Sequence, residues 1–198
     1  MPITIEVFSD FVCPFCYLAE QPLADAAEGR DVQISWQPFE LRTEPMPTLR
    51  PEDAYLQSTW QELVYPMAER MGVPIVLPQV SPQPYSRLAF EGLAYATERG
   101  LGQRYTEQVF RAFFVLQRDI GQPEVLADVA GQLGLDAEDF RAALDSGRYT
   151  QAHQRALRRA HQLEITAVPT VIVDGRRLQG VPSARALHQL LNGAVALR

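Results

Sequence analysis

Only two of the 198 residues are cysteine, Cys13 and Cys16, and none is lysine. Two cysteines are too few for a disulfide framework. A bridge across two intervening residues also restrains little of the unfolded chain, because its stabilisation grows with loop size. The basic residues are 18 arginines against 24 acidic residues, for a net charge of −6. An acidic chain with scattered arginine is a poor match for nucleic acid or an anionic membrane. No apolar run approaches the ~20 residues of a membrane-spanning helix. The first residues, MPITIEVFSD, lack a basic stretch, a long apolar stretch and a small-residue cleavage site, so the expected location is cytoplasmic. Internal repeats and low-complexity tracts are also absent.

What is present suits one domain, or one domain carrying a large insertion. A chain of this length buries roughly 70% of its unfolded surface, enough for a core without staples or metals. Residues 3–9, ITIEVFS, are apolar and β-branched and read as a buried strand. A helical pattern starts at Cys13 and stops at Gly29, and 32–41 alternates as a second strand. Strand, helix, strand predicts a parallel pair with a crossover helix. Three prolines make 42–51 a linker. Residues 52–72 read as a helix with Pro66 as a kink or break, and the four prolines of 74–84 make an extended excursion on the surface. Helices are expected over 85–99, 103–118, 123–133, 137–146 and 149–163, with Asp136 as an N-cap and Asp139 completing a capping box. A strand over 170–174, a turn at Asp174-Gly175 and a returning strand over 176–181 form a hairpin. A last helix runs from a Ser183 cap to a Gly193 stop. Neither end has enough strands for a sheet of its own, so both ends share one. The predicted fold is therefore α/β, a thioredoxin-like fold interrupted by a large helical insertion. Its expected boundaries are 1–45 and 164–198 for the thioredoxin-like domain and 46–163 for the insertion.

The chemistry lies in SDFVCPFCYLA, residues 9–19. Cys13 sits where the first helix begins, where unpaired N–H groups and the positive end of the helix dipole favour a thiolate. The thiolate is the species that attacks disulfides. Pro14 fits the first helical turn, where its missing N–H costs nothing. Cys16 lies three residues on and within reach of the Cys13 sulfur. Cys13 is then the attacking thiol and Cys16 the resolving one. Zinc would need two further ligands. His153 and His161 are eight residues apart and His188 stands alone, so no paired H-x₃₋₅-H spacing exists, and no metal site is expected. The second piece is AVPTVIV, residues 167–173, in which Pro169 opens a strand.

CPFCYLA, WQPFEL, a helical insertion, then VPTVIVDG and a Gly180-containing turn resemble the DsbA-like thiol oxidoreductases, in particular the cytoplasmic FrnE-like branch. The resemblance implies a cis Val168-Pro169 bond opposite the cysteines, with the Val168 backbone pairing with substrate by strand addition. It implies an exposed Cys13 nucleophile, and substrate contacts from Pro14, Phe15, Val168 and Pro169. Strongly oxidising members carry histidine at the position of Phe15, so a less oxidising protein is expected here. Two departures from the family pattern bear on the substrate surface. Glu164 and Ala167 stand where glycines are common, and Gly180-Val181-Pro182 replaces Gly-Ala-Gln. Glutathione-dependent isomerases of 2-hydroxychromene-2-carboxylate share the architecture but carry serine where Cys13 stands.

Three functions follow in order. The first is a thiol–disulfide oxidoreductase acting on protein or peptide thiols and disulfides, recycled by a thiol system. It needs no cofactor beyond its own redox-active disulfide, with glutathione as a candidate co-substrate. The second is a glutathione-dependent isomerase of the hydroxychromene type. The third is a non-catalytic peptide-binding module that would survive loss of both cysteines. Among the remaining residues, Tyr105, Phe110, Phe113 and Phe114 read as insertion core or as a wall of a groove above Cys13, and Trp36 as core. Asp10 reads as a helix cap or as a carboxylate acting on the thiol, and Arg158 and Arg159 as a solvated helix face.

Overall fold

Strand β1, Ile3–Ser9, has Ile5, Val7 and Phe8 without exposed surface, as its β-branched and aromatic content requires. The structure, a computed structural model, describes residues 2–195; the outermost positions of the expected thioredoxin-like segments, 1 and 196–198, lie outside the described residues. Helix α1, Pro14–Ala27, carries the chain across to β2, Val32–Pro38, which runs parallel to β1 in register from Ile3↔Val32 to Ser9↔Pro38. The expected strand over 32–41 stops three residues early. Phe39 N–H closes the ladder on Ser9 carbonyl at 2.9 Å, and Leu41 N–H then turns to the Asp10 carboxylate instead.

Between β2 and the next strand the chain is helical. The stretch expected as one helix over 52–72 comprises α2 (Ala54–Thr59), a π-helical turn (Trp60–Val64) and α3 (Tyr65–Met71). Pro66 neither breaks nor stops it. The π turn places Pro66 in the first turn of α3, where no N–H is needed. Residues 74–84 have no regular structure, as expected, but they are not merely superficial. Val76 N–H bonds Phe114 carbonyl at 2.9 Å, Gln83 N–H bonds Leu49 carbonyl at 2.8 Å, and the Leu77 and Gln83 side chains are buried.

Helices α4 (Arg87–Glu98), α5 (Gly102–Phe114), α6 (Pro123–Gln132), α7 (Ala137–Asp145) and α8 (Thr150–Gln162) complete the block. Tyr105, Phe110, Phe113 and Phe114 of α5 have no exposed surface and form its core. Phe110 also reaches the sheet side, with ring centroids 5.1 Å from Phe11 and 6.0 Å from Trp36. Such aromatic pairs are worth ~0.5–1.5 kcal/mol beyond burial. Asp136 caps α7, accepting from Glu138 and Asp139 N–H at 3.0 Å each. The capping box is not closed, because the Asp139 carboxylate accepts from Tyr95, Arg99 and Arg148 instead.

Strand β3, Thr170–Val173, returns antiparallel to β1 on the side opposite β2, and β4, Arg176–Gln179, pairs with β3. The sheet order is β2-β1-β3-β4, so both ends of the chain share one sheet. Asp174 (φ 45°) and Gly175 (φ 76°) make the hairpin turn in the left-handed conformation such turns need. Helix α9, Ala184–Val195, starts where Ser183 Oγ accepts Ala186 N–H at 3.2 Å. It runs through Gly193 rather than stopping there. The Arg176 guanidinium packs against that glycine, and a Cβ would collide with it.

Candidate active site

The end of β1 and the start of α1 are held by one carboxylate. Asp10 accepts from Val12 N–H at 3.3 Å and from Leu41 N–H at 2.6 Å, and its carbonyl accepts Cys13 N–H at 3.1 Å. Asp10 thus ties the loop before the cysteines to the loop after β2, and it does not cap α1. Cys13 itself is the N-cap residue, extended at φ −91° and ψ 114°, with Pro14 following. Its carbonyl accepts from Cys16 and Tyr17 N–H at 3.1 and 3.3 Å.

The two thiols are free and unequally placed. Cys16 is 0% exposed and Cys13 4%. The exposed nucleophile implied by the family resemblance is therefore corrected: Cys13 is covered and meets the outside through a cavity of about 220 Å³. Its Sγ lies 3.8 Å from the Val168 carbonyl oxygen. The Val168-Pro169 peptide bond is cis. Pro169 is buried behind Val168, and its carbonyl accepts Gly180 N–H at 2.9 Å. Glu164, standing where glycines are common, keeps the glycine-type backbone at φ 53°.

Cys13, Pro14, Phe15 and Val168 line the cavity, whereas Cys16 and Pro169 lie outside its wall. Much of the remaining wall comes from segments that sequence reasoning set aside. Leu41 comes from the loop after β2, Arg42 and Leu49 from the proline-rich linker, Tyr55, Leu56 and Trp60 from the first insertion helices, Gln83 and Pro84 from the end of the extended excursion, and Ser86 from the N-cap of α4. The only sequence signal was indirect: proline-rich strings fix irregular backbone without saying what it faces. None of Tyr105, Phe110, Phe113 or Phe114 reaches the cavity, which leaves the core reading of that stripe.

Burial pushes the Cys16 thiol well above its ordinary range, and the adjoining Cys13 thiol adds to the rise. Burial also raises Asp10 to about 6, with the Glu40 charge adding to it, while the Ser86 hydroxyl and the Leu41 and Val12 amides pull the other way. The site is a largely apolar pocket with the Cys13 sulfur in its wall and a second, buried thiol behind it. Such a pair can exchange electrons with a disulfide through a mixed-disulfide intermediate.

A βαβ unit joined to an antiparallel hairpin, with a dithiol at the first helix N-terminus facing a Val-Pro loop, defines a thioredoxin-type dithiol fold. The chain belongs to the DSBA-like thioredoxin domain family, which matches residues 4–192. It is 42% identical over 182 residues to the uncharacterized protein YwbO of Bacillus subtilis (strain 168), covering 91% of each chain. Among solved structures, a Nitrosomonas europaea protein superposes with a TM-score of 0.83 at 18% identity over 100% of both chains. A 2-hydroxychromene-2-carboxylate isomerase gives 0.77 at 20% identity, over 98% of this chain and 96% of that one. The cytosolic disulfide reductase DsbM of Pseudomonas aeruginosa, solved with glutathione, gives 0.70 at 24%, over 98% and 97%. These likenesses bear on the fold. Within the described residues, no helix is long and apolar enough to cross a membrane.

Proposed function

We propose that this protein is a cytoplasmic thiol–disulfide oxidoreductase of the FrnE-like branch, exchanging the Cys13–Cys16 pair with disulfides of protein or peptide substrates. The observation that carries the reading is the asymmetry of the pair: Cys13 Sγ faces Val168 carbonyl and the cavity, while Cys16 is wholly buried. In reduction, the Cys13 thiolate attacks a substrate disulfide. A Cys13–substrate bond forms and one substrate thiolate leaves. Cys16 then gives its proton to that leaving thiolate and attacks Cys13 Sγ, releasing the second substrate thiolate. Two electrons and the Cys16 proton pass to the substrate, the second substrate thiolate takes from solvent the proton that Cys13 lost on ionising, and Cys13–Cys16 becomes a disulfide. Oxidation of a substrate dithiol is the reverse sequence. After a reduction, a recycling thiol with glutathione as the candidate resets the pair; after an oxidation, the disulfide form of that thiol does so.

Pro14, Phe15 and Val168 form the substrate wall next to the sulfur, and Pro169 positions Val168 from behind. The insertion, taken as residues 46–163 against a thioredoxin-like domain of 1–45 and 164–198, supplies the facing wall through Leu49, Leu56, Trp60 and Ser86. That apolar wall favours a substrate carrying an apolar side chain beside its cysteine.

The isomerase reading draws on shared fold alone, and the retained Cys13–Cys16 pair favours redox chemistry over it. The deciding test is a trapping experiment. The Cys16→Ala variant incubated with oxidised glutathione should hold one glutathionyl group on Cys13, and the wild type should release it. A wild type that keeps glutathione as long as the variant contradicts the oxidoreductase assignment.

A further inference from the structure

A second cleft, distinct from the Cys13 cavity, runs along the outer edge of β2. Its volume is about 800 Å³, and its far side is built from α4, α5 and α8. Strand β2 is at the end of the sheet and pairs only with β1. The bonds Ile3 N–H to Asp31 carbonyl and Phe39 N–H to Ser9 carbonyl fix the phase of this parallel ladder. Odd-numbered residues of β2 bond β1, so the backbone groups of Ile34 and Trp36 point away from it. No other element among the described residues supplies a partner to those groups. They open onto the cleft that Ile34 and Trp36 line. An unpaired edge of this kind is a template for another strand.

The chemistry of the lining selects what that strand carries. Glu28, Glu98 and Glu107 line the cleft, and no arginine does. A second feature is His153, which lines the same cleft and is 4% exposed. Its Nε2 is 2.5 Å from Glu40 Oε1, and its buried Nδ1 has no partner. Glu107 accepts from Gln103 Nε2 through one oxygen, and Glu98 accepts from the Tyr149 hydroxyl with Arg99 3.8 Å away. The three carboxylates thus leave the cleft wall acidic and suited to a ligand that brings positive charge.

We propose that this cleft binds an extended basic peptide segment, added as a further strand on β2 with its arginine or lysine side chains toward Glu28, Glu98 and Glu107. The peptide backbone pairs with Ile34 and Trp36. The proposal does not rest on the thiol chemistry, and binding persists without Cys13.

The probe is a capped hexapeptide alternating arginine and valine, titrated into the reduced full-length protein and into its Cys13→Ala variant. Amide exchange at Ile34 and Trp36 should slow at least tenfold on saturation in both proteins. N-methylation of alternate peptide amides should weaken binding about tenfold, as loss of roughly 1.4 kcal/mol of backbone bonding implies. A glutamate–valine hexapeptide should not bind. Unchanged exchange at Ile34 and Trp36 overturns the proposal, as does equal affinity for the N-methylated or the acidic peptide. Spermine displacing the peptide without itself slowing those amides supports the strand geometry. Spermine slowing them equally overturns it in favour of a small-cation site. Loss of disulfide exchange in the trapping experiment leaves these outcomes untouched, so the two readings fail separately.

Discussion

The Sγ of Cys13 and the carbonyl oxygen of Val168 lie 3.8 Å apart, although the two residues are 155 positions apart in the chain. β1 and β3 bring them together by antiparallel pairing, with Phe8 opposite Thr170. The thiol donates to that main-chain carbonyl, the nearest polar partner of the sulfur. Under the proposed function, ionisation of Cys13 releases that acceptor for an incoming peptide N–H.

The two cysteines should fail differently. Cys13→Ala should abolish disulfide exchange with a model dithiol substrate, because no other sulfur borders the cavity. Cys16→Ala should retain the first attack and accumulate mixed disulfide, visible by intact mass. Equal residual turnover in both variants would remove the assignment of attacking and resolving roles.

Asp10 should matter for structure as much as for chemistry. Its carboxylate satisfies the Val12 and Leu41 amides. Asp10→Ala orphans both, at about 1–3 kcal/mol for a buried donor left unmade. Removing a buried carboxyl offsets part of that cost, so a net loss of about 2 kcal/mol at neutral pH is expected from urea unfolding. Exchange of the Leu41 amide should accelerate in parallel.

Glu20, on the helix that carries the dithiol, gives a pH signature. Burial raises it to about 8, and the Glu107 charge adds to the rise, while its Oε1 has no hydrogen-bond partner. An acid raised on folding keeps its proton in the native state where the unfolded chain has already lost it. Stability is therefore fully present below about pH 4 and falls as pH rises toward 8. Glu20→Gln should flatten that decline and be more stable than wild type above pH 8 by up to about 5 kcal/mol, from the rise of 4.5 to about 8. Parallel pH–stability curves for the two proteins would contradict it.

Gly92 tests packing in the helical block. Alanine is favoured over glycine in a helix by about 1 kcal/mol. Here, however, a Cβ would collide with the Tyr105 hydroxyl and come within 2.6 Å of Phe140 Cζ. Overpacking of this kind costs about 1–3 kcal/mol. Gly92→Ala should therefore lower the melting temperature by several degrees rather than raise it.

The sheet and the dithiol were legible in the sequence because their signals are local. ITIEVFS and TVIVD announce strands by composition, Asp174-Gly175 announces its turn, and the C-x-x-C spacing is chemistry in four residues. The Val168–Cys13 approach came only through family resemblance, since nothing local to AVPTVIV says what it faces. The cavity wall was illegible for a related reason. Leu49, Trp60 and Ser86 come from three separate segments and meet only in the folded chain. The end of β2 at Pro38 goes with a tertiary partner, the Asp10 carboxylate that takes the Leu41 amide, and Gly193 inside α9 lies against the Arg176 guanidinium rather than marking a stop.

The redox equilibrium of the Cys13–Cys16 pair against glutathione, read by thiol trapping and intact mass, tests the central claim most directly. A reversible loss of two hydrogens with a midpoint between roughly −270 and −120 mV, toward the reducing end because Phe15 stands in the dipeptide, is the predicted result. A pair that never closes to a disulfide, or that holds glutathione on Cys13 indefinitely, would contradict it.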